Sequence, residues 1–364
     1  MTHSHRRERL RTHLVAAGLD AMLVTDLINV RYLSGFTGSH GVLLVYADDR
    51  GALLATDSRY RTQAAEQAPD LTALIDPAAA RHLAARAASD GVAVLGYESH
   101  VLTVDAHAAL VRELAEHGST DLVRAPGTVE SLREVKDQGE VALLRLACEA
   151  ADAALSDLLE RGGLQPGRTE RQVQRDLESL MLDHGADAPS FETIVASGAH
   201  SAIPHHRPTA AVLAAGDFVK IDFGALVAGY HSDMTRTFVL DSAAEWQREI
   251  YAVVADAQQA GRDALAAGVA LGDVDAAARA VIVQAGYGEH FGHGLGHGVG
   301  LQIHEAPSLG STVAGILRPG SVVTVEPGIY LPGRGGVRIE DTVTVPEAGN
   351  PEPLTRFPRE LIVV

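Results

Sequence analysis

One cysteine, Cys148, stands in 364 residues. A single thiol excludes an intramolecular disulfide and any Cys-x-x-Cys redox or zinc motif. A reducing compartment, the cytoplasm, is therefore the expected location. Aromatic residues are scarce at 4%, so Ala, Val and Leu must fill the cores. Positive charge is short as well: 30 Lys and Arg face 47 Asp and Glu, a formal net charge of −17. Nucleic acids and anionic membranes reward a basic surface, so neither is an expected partner. Long apolar runs are missing. The longest stretch free of Asp, Glu, Lys and Arg, Tyr32 to Ala47, is broken by Gly35, Gly38 and Gly41, whereas a membrane span needs about 20 mainly apolar residues. The basic start (Arg6, Arg7, Arg9) leads into an apolar stretch cut at Asp20, a poor secretion signal.

What is present is ordinary in bulk and unusual in one respect. Hydrophobic residues at 46% and charged residues at 21% fit a folded globular protein, and the length suits about two domains. Histidine is abundant, with 17 in all and eight between His200 and His304. Such a cluster points to metal or acid–base chemistry.

The first third alternates strand-like runs (Ala21–Thr25, Gly41–Tyr46, Ala52–Thr56, Val92–Gly96) with helical stretches such as His107–Glu116, an α/β pattern. His3, His5 and His13 read as a solvated N-terminal segment. Pro126 and Gly127 punctuate the chain and place a domain boundary near residue 130, dividing 1–130 from 131–364. The second part opens on helices. Glu140 to Arg161 has helical apolar spacing and stops at Gly162–Gly163, and Thr169 with Gln172 forms a capping-box pattern for a helix ending at Gly185. Two more helical stretches, Ala244–Ala267 and Val274–Ala285, separate strand-rich blocks at Phe218–Leu240 and Ser321–Val345. The order helices, hairpin, helices, hairpin predicts an α+β domain with a weak internal duplication.

The chemistry lies in those blocks. Asp222 and Asp233 are eleven residues apart with a Gly-bounded turn between them. An in-register hairpin would set them opposite each other, Cβ atoms about 5 Å apart. Two carboxylates that close either share a proton or hold a cation; alternatively both aspartates belong to turns. Glu326 and Glu340 repeat the geometry about Gly333, among Val322, Val323, Val325, Ile339 and Val343. A carboxylate left unpaired in such a strand is costly. Between the blocks, glycine occupies every second position from Gly292 to Gly300, enclosing His293 and His297, with His304 beyond. That alternation argues against a helix, hence against a helical zinc-binding histidine pair. A dinucleotide fingerprint fails on spacing. Four carboxylates and one or more histidines suit two divalent oxophilic cations, manganese best, which clamp a bridging hydroxide for hydrolysis. No serine has glycine at both −2 and +2, so there is no nucleophile elbow. Cys148, in an Ala/Leu-rich stretch, reads as packing.

These motifs, in this order and spacing, resemble the proline-specific pita-bread metallopeptidases, aminopeptidase P and Xaa-Pro dipeptidase (prolidase). The motifs are Ile221–Gly224, Ser232–Arg236, His293–His297, Val325–Gly328 and Arg338–Asp341. Arg31–Gly38 and Asp57–Tyr60 resemble the creatinase-type N-terminal domain that precedes that catalytic domain. The resemblance implies a pita-bread catalytic domain after a smaller α/β domain, and an Xaa-Pro exopeptidase acting on short proline-containing peptides. It implies metal ligands Asp222, Asp233, His297, Glu326 and Glu340, with Asp233 and Glu340 bridging two metals. Family metals are manganese or cobalt, in some members zinc. It further implies His293 and His304 at the carbonyl oxygen or tetrahedral intermediate and His205 closing over the scissile bond. Glu326 would shuttle a proton, Arg338 would orient Glu340 or stand behind the ligands, and the chain would form a homodimer. His200, His206 and His231 read as surface or supporting groups and Tyr230 as packing. Two rivals are a metal-free creatinase-like amidine hydrolase and a non-catalytic binding protein of the same shape; the five intact ligands speak against both.

Overall fold

The computed structural model describes residues 2–364 and divides into two compact units, one ending at Arg133 and one spanning Glu134–Val364. The first unit holds α1 (His3–Ala16), β1 (Ala21–Val24), α2 (Leu27–Ser34), β2 (Val42–Tyr46), β3 (Ala52–Thr56), α3 (Arg61–Gln67), β4 (Thr72–Ile75), α4 (Ala79–Ser89), β5 (Val94–Tyr97), α5 (Val104–His117), β6 (Asp121–Arg124) and α6 (Glu130–Arg133). Its six strands form one mixed sheet in the order β4-β3-β2-β1-β5-β6. Every residue of β1 and β2 is buried, as central strands with helices on their faces require. Residues 3–16 correct the solvated-segment expectation only in part, since His5 and His13 are exposed and His3 is half-buried. The segment forms a helix whose N-cap is Thr2, with Arg6, Arg7, Leu10 and Leu14 buried. Arg6 and Arg7 donate to the carbonyls of Tyr32 and Leu33 at 3.1 and 2.7 Å, so two charges that read as solvated are satisfied inside.

The second unit opens with α7 (Gln138–Glu160) and α8 (Glu170–Asp183). Both carry reciprocal capping boxes, Asp137 with Glu140 and Thr169 with Gln172. Next come β7 (Ala188–Pro189), β8 (Ile194–Ser197), β9 (Phe218–Phe223), β10 (Ala225–Val227), β11 (Tyr230–His231) and β12 (Met234–Val239). After α9 (Glu245–Asp263) and α10 (Leu271–Gln284) follow β13 (Gly296–Gly298), β14 (Glu305–Leu309), β15 (Val322–Val325), β16 (Gly328–Leu331), β17 (Gly335–Arg338), β18 (Asp341–Thr344) and β19 (Glu352–Pro353). One core joins α7 and α8 to the sheet β12-β9-β8. A second joins α9 and α10 to the later strands, which form the sheet β14-β13-β15-β18-β19 and the hairpin β16-β17. Each helix pair therefore backs one strand block.

The first hairpin is displaced from its expected register. Asp222 pairs with Thr235, not with Asp233. The tip is the two-residue turn Ala228–Gly229, with φ 47° and 82°. A hairpin turn with both central residues left-handed favours glycine at the second. That choice moves the tip by one residue and the register by two. Side-chain parity is kept, so the two aspartates remain on one face as diagonal neighbours. In the second hairpin Val325 pairs with Asp341 and Gly328 with Arg338. The same register carried between these pairs sets Glu326 facing Glu340.

The alternating glycines are explained by crowding. A Cβ on Gly296 would lie 2.1 Å from the Thr324 carbonyl oxygen, and one on Gly298 2.2 Å from that of Ala306. Only glycine lets β13 sit this close between β14 and β15. His297, between them, projects from the strand that this packing fixes.

Candidate metal centre

Five elements converge on one cavity of about 910 Å³. Asp222 comes from β9, and Asp233 immediately precedes β12. His297 lies in β13, Glu326 follows β15, and Glu340 stands between β17 and β18. All nine residues expected at the site line this cavity: Asp222, Asp233, His297, Glu326, Glu340, His205, His293, His304 and Arg338. Asp233, His297 and Glu340 are the tightest group, each offering a ligand atom within 4.8 Å of the others. His297 Nε2 is 3.6 Å from both Asp233 Oδ2 and Glu326 Oε1. Its Nδ1 lies 3.1 Å from the Gly298 carbonyl, which assigns the proton to Nδ1 and leaves the Nε2 lone pair facing the carboxylates.

The electrostatics ask for a cation. Asp233 and Glu340 have carboxyls held well above the usual range, by burial first and then by neighbouring carboxylates. Burial likewise lifts Glu326, to about 8. Burial pushes His297 and His293 down to about 4, so both are neutral at pH 7. Asp222 Oδ1 is buried without a hydrogen-bond partner. An orphaned carboxylate oxygen, a neutral imidazole lone pair and four carboxylates facing the single guanidinium of Arg338 fit oxophilic divalent cations.

Of the two roles expected of Arg338, the structure has it standing behind the proposed ligand Asp222. Its Nη2 pairs with Asp222 Oδ2, Nη1 donates to Tyr330 Oη at 2.9 Å, and Nε donates to Thr235 Oγ1 at 3.0 Å. Glu340 is oriented instead by Thr235 Oγ1, which donates to its Oε2 at 2.7 Å. A guanidinium satisfied by three side chains cannot also turn to Glu340. Tyr330 lies 2.9 Å from His293 Nε2, so Arg338, Tyr330 and His293 form one hydrogen-bonded chain. The ring of His304 stands edge-on to that of His297, centroids 4.5 Å apart.

Sequence reasoning missed the groups behind the ligands. Buried Asp341 pairs with Arg236 at 2.8 Å and with Arg359, and accepts from Gln258 and Thr355 at 2.7 and 2.8 Å. Arg236 also donates to the Glu340 carbonyl at 2.5 Å. Arg236 and Asp341 each close one of the quoted motifs without a role read from it, because they pair with each other and with partners elsewhere in the chain. Tyr230, read as packing, donates to Glu140 at 3.0 Å.

A second cluster holds the loop that carries His205. Buried Glu170, at the start of α8, lies 2.9 Å from His200 Nδ1 and 2.9 Å from His206 Nε2. It also accepts from the Ser197 and Thr209 amides at 3.0 and 2.9 Å. Burial raises its carboxyl, yet these partners, His206 foremost, hold it down to about 2. His206 is buried rather than superficial. Glu170→Ala would leave several buried donors unmet, each costing about 1–3 kcal/mol. The expected result is a clear drop in the urea midpoint and slower turnover with unchanged metal content; a wild-type midpoint would contradict it.

Two helix pairs backing two strand blocks, with an acid-lined cleft fed by both, define a pita-bread metallohydrolase. The chain belongs to metallopeptidase family M24, which matches residues 142–347, and carries a Creatinase/Prolidase N-terminal domain at residues 6–135. The Bacillus subtilis uncharacterized peptidase YqhT is 40% identical, over 98% of this chain and 99% of its own length. The solved Xaa-Pro dipeptidase from Bacillus anthracis is 39% identical with a TM-score of 0.93, covering 100% of both chains. The X-Pro aminopeptidase from Thermotoga maritima is 33% identical with a TM-score of 0.89, covering 98% of this chain and 99% of its own.

Proposed function

We propose that this protein is a metal-dependent exopeptidase that hydrolyses the bond between an N-terminal residue and proline. The observation that carries this reading is the convergence of Asp222, Asp233, His297, Glu326 and Glu340 on a cavity also lined by His205, His293 and His304. Relatives named for Xaa-Pro dipeptidase and X-Pro aminopeptidase activity support the same chemistry. Asp222, Asp233, His297, Glu326 and Glu340 would hold two divalent cations, manganese being the best match to an oxygen-rich site with one imidazole. When bound, such a pair polarises the scissile carbonyl and makes water a nucleophile near neutral pH.

The remaining roles fall to side chains of the protein. His293 and His304 stabilise charge developing on the carbonyl oxygen. Glu326 carries a proton to the leaving proline nitrogen, which has no N–H of its own. His205, on the loop anchored by Glu170, closes over the substrate. Arg338 holds Asp222 in place. A homodimer and a cytoplasmic location complete the proposal, the latter supported by the lone, buried Cys148. Among the described residues no helix is long and apolar enough to cross a membrane. The test is to strip the protein with chelator, restore manganese, and assay Ala-Pro and Ala-Pro-Ala. Manganese-dependent cleavage of either is expected; no cleavage of either would overturn the reading.

A further inference from the structure

We propose that the site prefers peptides that continue beyond the proline over Xaa-Pro dipeptides; this rests on the exopeptidase reading above. In a dipeptide the proline ends in a free carboxylate, placed inside the cleft next to the scissile bond. Burying that charge requires a cation to meet it. Three arginines line the cavity, and each is already engaged.

Buried Arg338 is held by Asp222, Thr235 and Tyr330. Arg279 is a strut. Its Nε and Nη2 grip Asp275 at 2.7 and 2.8 Å, and it donates to the carbonyls of Phe291 and His293 at 2.9 and 2.7 Å. Its guanidinium also stacks 4.1 Å from the Phe291 ring centroid. Arg207 has an 83% exposed side chain and pairs with Glu192 at 3.3 Å. No lysine lines the cavity, and its other charged side chains, histidines aside, are acidic. Past His304 the wall runs through Ser308, Leu309, Gly310, Ser311, Thr312 and Val313. Uncharged residues, three of them with hydroxyls, suit a peptide amide, not a carboxylate. This wall includes part of β14, an edge strand paired only with β13, a backbone edge of the kind that takes extended peptide chain. The volume, about 910 Å³, lies near the top of the range of about 300–1,000 Å³ for sites that hold drug-sized ligands.

The test compares kcat/KM of the manganese-loaded protein for Ala-Pro, Ala-Pro-amide and Ala-Pro-Ala. The amide removes the charge without adding a residue. Both neutral-ended substrates are expected to exceed the dipeptide by ~100-fold, since an unmet buried charge is strongly rejected. A dipeptide cleaved as well as the amide overturns the proposal and leaves the Xaa-Pro reading intact; failure of all three overturns both. Ser308→Arg, at an exposed wall position, should raise the dipeptide-to-tripeptide ratio by ~10-fold through one charge-assisted pair; an unchanged ratio overturns the proposal. Arg207→Ala should leave that ratio unchanged, and selective loss of dipeptide cleavage would identify Arg207 as the carboxylate's partner and overturn it. By calorimetry, the product Pro-Ala should bind more tightly than proline; the reverse order also overturns it.

Discussion

Asp233→Ala should reduce turnover by at least ~10³-fold and lower the bound metal after dialysis. Asp233 is the carboxylate nearest the centre of the donor set, grouped with His297 and Glu340. It is 4% exposed, and its carboxyl sits among Glu340, Asp222 and Glu326, whose charges push its protonation upward after burial itself. No neighbour replaces it. Asp222 is bound to Arg338, and Glu326 and Glu340 fill other positions of the proposed donor set. Misfolding is separable from loss of function. Removing one of four mutually repelling carboxylates should leave the chelated variant at least as heat-stable as the chelated wild type. Turnover retained in Asp233→Ala would remove the proposed centre from the mechanism.

Chelated protein should lose stability steeply between pH 6.5 and 8.5, whereas manganese-loaded protein should change little. The sign follows from proton counts. Glu326 has a native pKa of about 8 against an ordinary 4.5, and Asp233 and Glu340 shift the same way. For a raised acid the native state binds more protons than the unfolded state, so stability falls as pH rises toward the native pKa. His293 and His297 act oppositely. Their native pKa values of about 4 lie below 6.5, so they add stability as pH climbs from about 4 to 6.5 and nothing further above it. Above 6.5 the histidines drop out, and the carboxylates are opposed only by Lys220, whose buried amine is held well below its usual range. Between pH 6.5 and its native pKa of about 8, Glu326 alone loses about 2 kcal/mol, at about 1.4 kcal/mol per unit. For a protein of this size that moves the midpoint by roughly 3–6 °C. Scanning calorimetry in chelator at the two pH values measures it, and a flat response would mean the carboxylates are not gathered before metal arrives.

The carboxylates gathered in the cavity were legible in the sequence because carboxylates in β-forming surroundings contradict their own environment. Glu326 and Glu340 announce themselves among valines, and symmetry about Gly333 gave their facing register. Asp222 and Asp233 were paired correctly by face but not by position. Periodicity sees parity, whereas the turn residue sets the register, and Ala228 gives no sign that it adopts a left-handed conformation. The partners of Arg338 were hidden for a different reason: Asp222 and Thr235 come from a strand pair more than 100 residues earlier in the chain. Glu170, Asp341 and Tyr330 were invisible because their meaning lies in contacts to remote chain segments. Helix α1 was missed because its buried positions include two arginines, which the hydrophobic pattern counts as surface.

The five proposed donors divide between the two helix-and-strand halves, two in the first and three in the second, and that division has a consequence for synthesis. A nascent chain that has emerged only as far as β12 carries two aspartates and no means to cut a peptide. Hydrolysis begins only after β18 has been added and docked. Severing the connection between β12 and α9 would yield one piece holding Asp222 and Asp233 and another holding His297, Glu326 and Glu340. Each piece alone is silent. Proline-peptide cleavage would then serve as a split reporter, its signal counting reunited halves.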